Sequence, residues 1–264
     1  MRRLAAALIV IAAASASSRA HETWILPSSC SAGVGETVHF DVTSGMEFPA
    51  AETPIRIDRI ERAGYRQNGA MGVITRFESA PTSLVLRNTF DKPGLATVWV
   101  DLKPRDIDLT DDQVAEYLDE IGAGEAIRNT WAARRGRMPW HETYTKHLKT
   151  FVAVGDKPGG ASWSFDTGSG LELVPETNPC DSVAGRALTV TLRARSKPVA
   201  SAAVGLMVEG SKERTFVTTD ALGKATFSLP REGIALLFAV SLRLTDDEKG
   251  WVSDFATLTF EVAP

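Results

Sequence analysis

"TVHFDV", residues 37–42, sets Val38, Phe40 and Val42 on one side of an extended chain and Thr37, His39 and Asp41 on the other. Side chains of a strand point alternately to its two faces, so this run has the pattern of a strand with one face in a core. The same pattern returns in "IRIDRIERA" (55–63), "MGVITRFES" (71–79), "SLVLRNTF" (83–90) and "LATVWVDLK" (95–103), with Gly, Pro and Asn between the runs. Short strands at such spacing predict an antiparallel sandwich over residues 21–155.

One stretch of this half changes period. From Thr110, with Gln113 three residues on, Val114, Tyr117, Leu118 and Ile121 recur at i, i+3, i+4 and i+7 before Gly122. That is a capped helix. A second short helix over about Glu125–Arg135 completes a helical insertion at about 110–135, and a return strand follows over roughly Tyr144–Val154. "GDKPGGASWSFDTGSG" is rich in Gly, Ser and Pro, so 156–170 reads as a linker.

Residues 171–264 then hold seven more strand-like runs, from "LELVP" to "FATLTFEVA", which predict an immunoglobulin-like or transthyretin-like sandwich. Gly223 in "TTDALGK" suits the positive φ of a tight turn. The expected fold class is therefore all-β: two β-sandwich domains with a small helical insertion in the first. The halves also rhyme, since each opens on a strand with a proline, then a cysteine, an Ala-Gly and a Thr-Val strand. A shared first-strand bend or a chance convergence would each give that.

Residues 1–20 read as a secretory signal peptide, with Arg2 and Arg3, an apolar run from Leu4 to Ala14, and Ser18-Arg19-Ala20 as a small-x-small cleavage site. The expected location is the periplasm. The apolar run is too short to span a bilayer, and no transmembrane segment is expected in the mature chain. Cleavage after Ala20 makes His21 the first residue; cleavage after Ala16 makes it Ser17. Removing three arginines and no acid takes the net charge from -4 to -7, which argues against a nucleic-acid partner. Two cysteines, Cys30 and Cys180, bound for an oxidising compartment predict a disulfide.

Four histidines offer metal chemistry. A terminal His21 chelates through its amine and Nδ1, a pairing that suits copper or nickel, and the remaining ligands would come from His147, His39 or His141. His141 and His147 lie about 20 Å apart along an extended strand, so at most one joins His21. His39 and Asp41 share a strand face with spacing for one ion. "SFDTGSG" contains the aspartic-protease tetrad, but that chemistry needs a second such loop, and none exists.

Three stretches carry a resemblance: "AHETWILP" (20–27), "DLTDDQVAEYLDEIGAGEAI" with "HETYTKHLKTFVAVG" (108–127, 141–155), and "LELVPETNP" with "KPVASAAVGLMV" and "TTDALGKATFSLP" (171–230). Together they resemble a bacterial family of secreted proteins grouped with periplasmic components of nickel and cobalt uptake systems. The resemblance implies that His21 is the terminal metal ligand and that Glu142, Tyr144 and Lys149 form a middle signature. His141 stands where that family has arginine. Glu142 and Tyr144 share a strand face, and a hydrogen-bonded pair there would anchor the return strand beneath the helices.

The leading expectation is a non-catalytic protein that binds a transition-metal ion (Ni, Co or Cu) and serves a metal-uptake membrane component. The alternative is a cell-envelope scaffold that binds protein or glycan. A third reading is a copper-dependent oxidative enzyme.

Overall fold

The computed structural model describes residues 22–156 and 160–264. His21 lies outside the described residues, as do the expected leader and its cleavage site. The first half holds β1 (Glu22–Pro27), β2 (Ser31–Ala32), β3 (Thr37–Gly45), β4 (Thr53–Pro54), β5 (Ile60–Gln67) and β6 (Ala70–Val73). It continues with β7 (Arg76–Ser79), β8 (Leu84–Thr89), β9 (Gly94–Leu102) and β10 (Arg105–Leu109). Helices α1 (Asp111–Glu120) and α2 (Glu125–Ala132) lead into β11 (Trp140–Val154). The second half holds β12 (Glu172–Pro175), β13 (Ala187–Ala194), β14 (Lys197–Pro198) and β15 (Ala203–Val208). It closes with β16 (Thr215–Thr218), β17 (Lys224–Ser228), β18 (Gly233–Leu244) and β19 (Trp251–Val262). The chain is mostly β, with two short helices.

Alternation does what the sequence predicts in β3, where Val38, Phe40 and Val42 are buried. The strands form three sheets. One joins β1, β3, β8 and β7 in that order, with β4 on β3; another joins β12, β13 and β14, with β17 on β13. The third is ten-stranded and runs β16-β15-β18-β19-β11-β9-β5-β6, with β10 and β2 also on β11.

This large sheet draws strands from both halves. β19 lies parallel to β11, from Glu142↔Trp251 to Thr150↔Thr259. Alternating residues send the two faces of the sheet into different cores. Leu148 and Val152 of β11 join Ile25, Phe40 and Leu86 of the first half, whereas Phe151 joins Leu188, Phe227 and Leu258 of the second. β11 is thus buried on both faces toward its end, which explains its near-continuous buried run from His147 to Val152.

The helical insertion follows its signals. Thr110 caps α1, and the reciprocal bond from its own N–H to Gln113 completes a capping box. Val114, Tyr117 and Leu118 are buried against Trp140, Trp251 and Phe255. α2 ends at Ala132, three residues short of the expected Arg135. The return strand starts at Trp140, four residues earlier than expected, because β10 pairs with its first part from Arg105↔Tyr144 to Leu109↔Trp140. Gly223 has φ +76°, as the turn required. Among the described residues no helix is long and apolar enough to cross a membrane.

The Gly/Ser-rich stretch read as a linker packs closely where it is described. Ser162 O accepts from Thr97 Oγ1 (2.6 Å), and Ser162, Thr167 and Ser169 are buried. Composition gives its turns correctly but not its destination, which is a polar seam in the interior.

Candidate functional site

The polar and charged residues of β11 stand on its two faces. Even positions carry Glu142, Tyr144 and Lys146; odd positions carry His147 and Lys149. Charged groups in a core need partners, because an unpaired buried ion costs several kcal/mol. The partners come from both halves of the chain.

On the even face, Glu142 is 2 % exposed. It accepts from Tyr117 Oη (3.0 Å), from Trp140 Nε1 (2.9 Å) and from Ser253 Oγ. Burial pushes its carboxyl up, and the three donors oppose that rise. Burial and the Glu142 charge together hold the Tyr117 phenol well above its ordinary value. The phenol that meets Glu142 is therefore that of α1, not Tyr144. The Tyr144 ring instead faces Arg59 (5.7 Å) and Lys146 (5.5 Å).

Lys146 Nζ donates to Thr23 Oγ1 (2.8 Å) and lies 5.1 Å from the Phe255 ring centre. Burial pulls its ammonium down to about 8, against the pull of Glu22 and Glu142. Glu22 is buried with Arg214 Nη1 3.4 Å away, and burial raises its carboxyl.

On the odd face, His147 is clasped between two carboxylates. Nδ1 lies 2.7 Å from Asp101 Oδ1 and Nε2 lies 3.3 Å from Asp254 Oδ1. Burial alone would lower the imidazole pKa; the two carboxylates overcome it and push it up to about 9. At neutral pH the ring is an imidazolium with both N–H groups engaged, whereas metal ligation needs a neutral ring with a free lone pair. Asp101 also pairs with Arg62 and accepts from Ser169 Oγ (2.8 Å). Burial would raise its carboxyl, yet His147, Arg62 and Ser169 hold it below the usual value.

Two positions on, Lys149 Nζ meets the Glu172 carboxylate and donates to Leu173 O (3.2 Å) and Phe165 O (3.4 Å). Glu172 also accepts from the Thr167 N–H (2.9 Å). Gly170 allows this closure. A Cβ there would stand 2.6 Å from Asp254 Oδ1 and 2.7 Å from His147 Nε2, closer than packed atoms tolerate.

The structure does not bring the described histidines together. His39 lies on β3 opposite Arg87, and the carboxylate of its neighbour Asp41 accepts from Ser83 Oγ (2.5 Å). His141 is exposed, and Asp108 at 2.8 Å raises its pKa. Among the described residues no group of three His, Cys, Asp or Glu side chains is placed to hold a metal. The expected disulfide is not formed: Cys30 and Cys180 are free, half-buried thiols that line one cavity. In "SFDTGSG", Asp166 accepts from the Gly168 N–H (2.9 Å) and closes an ordinary turn.

Sequence reading missed Glu22, Arg62, Asp101, Lys146, Glu172 and Asp254. Two of them left a signal. Asp101 closes the apolar run "LATVWVD", and Glu172 sits between leucines in "LELV". An acid embedded in an apolar strand calls for a buried cation.

The fold and its ionic interior define a β-rich protein whose charged strand fastens its own sheets together. Residues 18–242 match the Domain of unknown function DUF4198, and the chain belongs to that family. No curated protein matches it. Among solved structures, the D0-D1 domain of intimin is 14 % identical, with 89 % of this chain and 96 % of that one covered, at a TM-score of 0.23. A two fibronectin type-III domain segment from chicken tenascin is 13 % identical, with 92 % and 98 % covered, also at 0.23. The Bacteroides ovatus glucan-utilisation protein SGBP-B, in complex with a mixed-linkage heptasaccharide, is 9 % identical; 90 % of this chain and 46 % of that one are covered, at 0.23.

Proposed function

We propose that this chain is a non-catalytic binding module of the cell envelope, working outside the cytoplasm, that holds a glycan against an aromatic groove. The leader-like residues 1–20 support the location. The groove carries the reading. Three of the six tryptophans, Trp131, Trp140 and Trp251, meet there, beside Arg134, Glu248 and Lys249. Trp140 and Trp251 stack with centroids 4.4 Å apart and are buried beneath it, while Trp131 is half-buried at its edge. Arg134 donates to Glu248 O (3.0 Å) and pairs with its carboxylate (2.6 Å), which ties the helical insertion to the β18–β19 hairpin. Trp131 is the indole left to offer an apolar face to a sugar ring, and the charged rim supplies partners for its hydroxyls.

The ionic groups of β11 support a structural role for the strand beneath, because each is engaged within the chain. Tryptophan fluorescence titrated with soluble envelope polysaccharide fragments tests the proposal. Saturable change is expected, with affinity lowered on the order of tenfold in Trp131→Ala. A flat titration at millimolar sugar would end this reading.

The second reading retains His21 as a ligand for nickel, cobalt or copper, handed on to an uptake component in the membrane. One observation favours it. Glu22, Thr23 and Trp24 are all buried, so a chain cut after Ala20 would begin one residue before a packed strand. Calorimetry with Cu(II), Ni(II) and Co(II) is to be run on protein whose mature terminus is verified by mass. Tight binding lost in His21→Ala is expected, and no heat with any of the three ions rejects this reading.

A further inference from the structure

Cys30 leads into β2 in the first half, and Cys180 sits in the 3-10 turn Pro179–Asp181 of the second. The fold brings these distant residues to one place, since the turn lies against β11 and β19. Both cysteines line a cavity of about 130 Å3 whose walls include Phe151, Ala153 and Phe260, with exposed Glu261 beside them. Their backbones are held. Cys30 O accepts from the Ala153 N–H (2.9 Å), and the Cys180 N–H donates to Asn178 Oδ1 (3.1 Å). Closing the gap therefore falls to side-chain rotation into the open volume.

We propose that Cys30 and Cys180 are a redox pair that closes across this cavity as a disulfide and fastens the two halves of the chain to each other. The oxidant is a disulfide, either of a small thiol or of an envelope oxidoreductase. One cysteine thiolate attacks a sulfur of that reagent, and a mixed disulfide forms as the first thiol leaves. The second cysteine attacks the protein-side sulfur and expels the other thiol. The protein loses two electrons and two protons, and the reagent becomes two thiols. Burial pushes both cysteines up to about 12, and Glu261 adds to the rise at Cys30. Cys180 also feels the charge of Cys30, as close neighbours do. Only a small thiolate fraction is available near neutral pH, so closure is slow without a catalyst.

The test uses the whole protein, incubated with glutathione disulfide at mildly alkaline pH, then denatured, alkylated and weighed. The expected product is lighter by two hydrogens and resists alkylation, and its digest holds one peptide pair joined through Cys30 and Cys180. Its melting temperature is expected to exceed that of the reduced protein by roughly 5–10 °C, because the bridge closes a long loop. Cys30→Ser and Cys180→Ser should each take up one glutathione and show no such rise. Wild-type protein that gains glutathione on both sulfurs without a joined peptide overturns the proposal. So does wild-type protein whose two thiols still alkylate after prolonged oxidation. The result is independent of sugar and metal binding.

Discussion

Glu172→Ala is expected to destabilise the protein by about 3–5 kcal/mol, the cost of leaving a buried cation without its counter-ion. Lys149 and Glu172 are each 4 % exposed, so water cannot take over the missing role. The backbone oxygens of Leu173 and Phe165 hold two of the ammonium's bonds but carry no net charge. Burial already pulls the Lys149 pKa down while Glu172 opposes it; with the acid gone the lysine is driven toward its neutral form. Removing both charges should be far milder. A Lys149→Met, Glu172→Leu pair is expected to recover most of the loss, since replacing a whole buried pair by apolar groups is often close to neutral. Urea unfolding of the single and double variants measures this. A Glu172→Ala loss below about 1 kcal/mol would show that the pair is reached by solvent.

The second large effect depends on pH. The folded pKa of His147 is raised to about 9, from an ordinary value near 6.5. A raised pKa means that the folded state holds the proton more tightly. The stabilisation is therefore complete below about pH 6.5 and is lost as pH rises through about 9. The shift corresponds to roughly 3 kcal/mol. Lys146 titrates in the opposite sense, because the penalty on its charge is full below about 8 and lifts above it. Comparison with His147→Gln isolates the histidine. The stability gap between wild type and variant should narrow by roughly 3 kcal/mol between about pH 6 and about pH 10. A gap that stays constant over that range would mean that the imidazole carries no charge in the folded protein.

The sequence made some of this legible and hid the rest for physical reasons. Alternation exposed β3 directly, and the capping pair Thr110 and Gln113 located α1 to the residue, because both are local effects. The parallel pairing of β19 with β11 has no local signature. Two strands more than 100 positions apart share a register that neither run of residues encodes alone. For the same reason His147 was legible as a titratable group but not as an imidazolium. Its state depends on Asp101 and Asp254, which reach it from other strands. The Gly/Ser composition of residues 155–170 indicated turns, yet turns that cover a charged seam and turns that dangle in solvent use the same letters. Lys149 stood out only as part of a resemblance, with Glu172 unremarked beside it.

The position of β19 bears on how the chain acquires its shape. This strand follows every other described strand in the sequence, yet it lies in the middle of the largest sheet, between β18 and β11. Until it arrives, β11 presents an unpaired edge over the register it later shares, and edges of that kind invite association with other chains. Contacts spanning so much of the polypeptide also make for slow folding. The large sheet therefore cannot close until β19 joins it, and β11 and β18 have to wait for a strand that lies far along the chain.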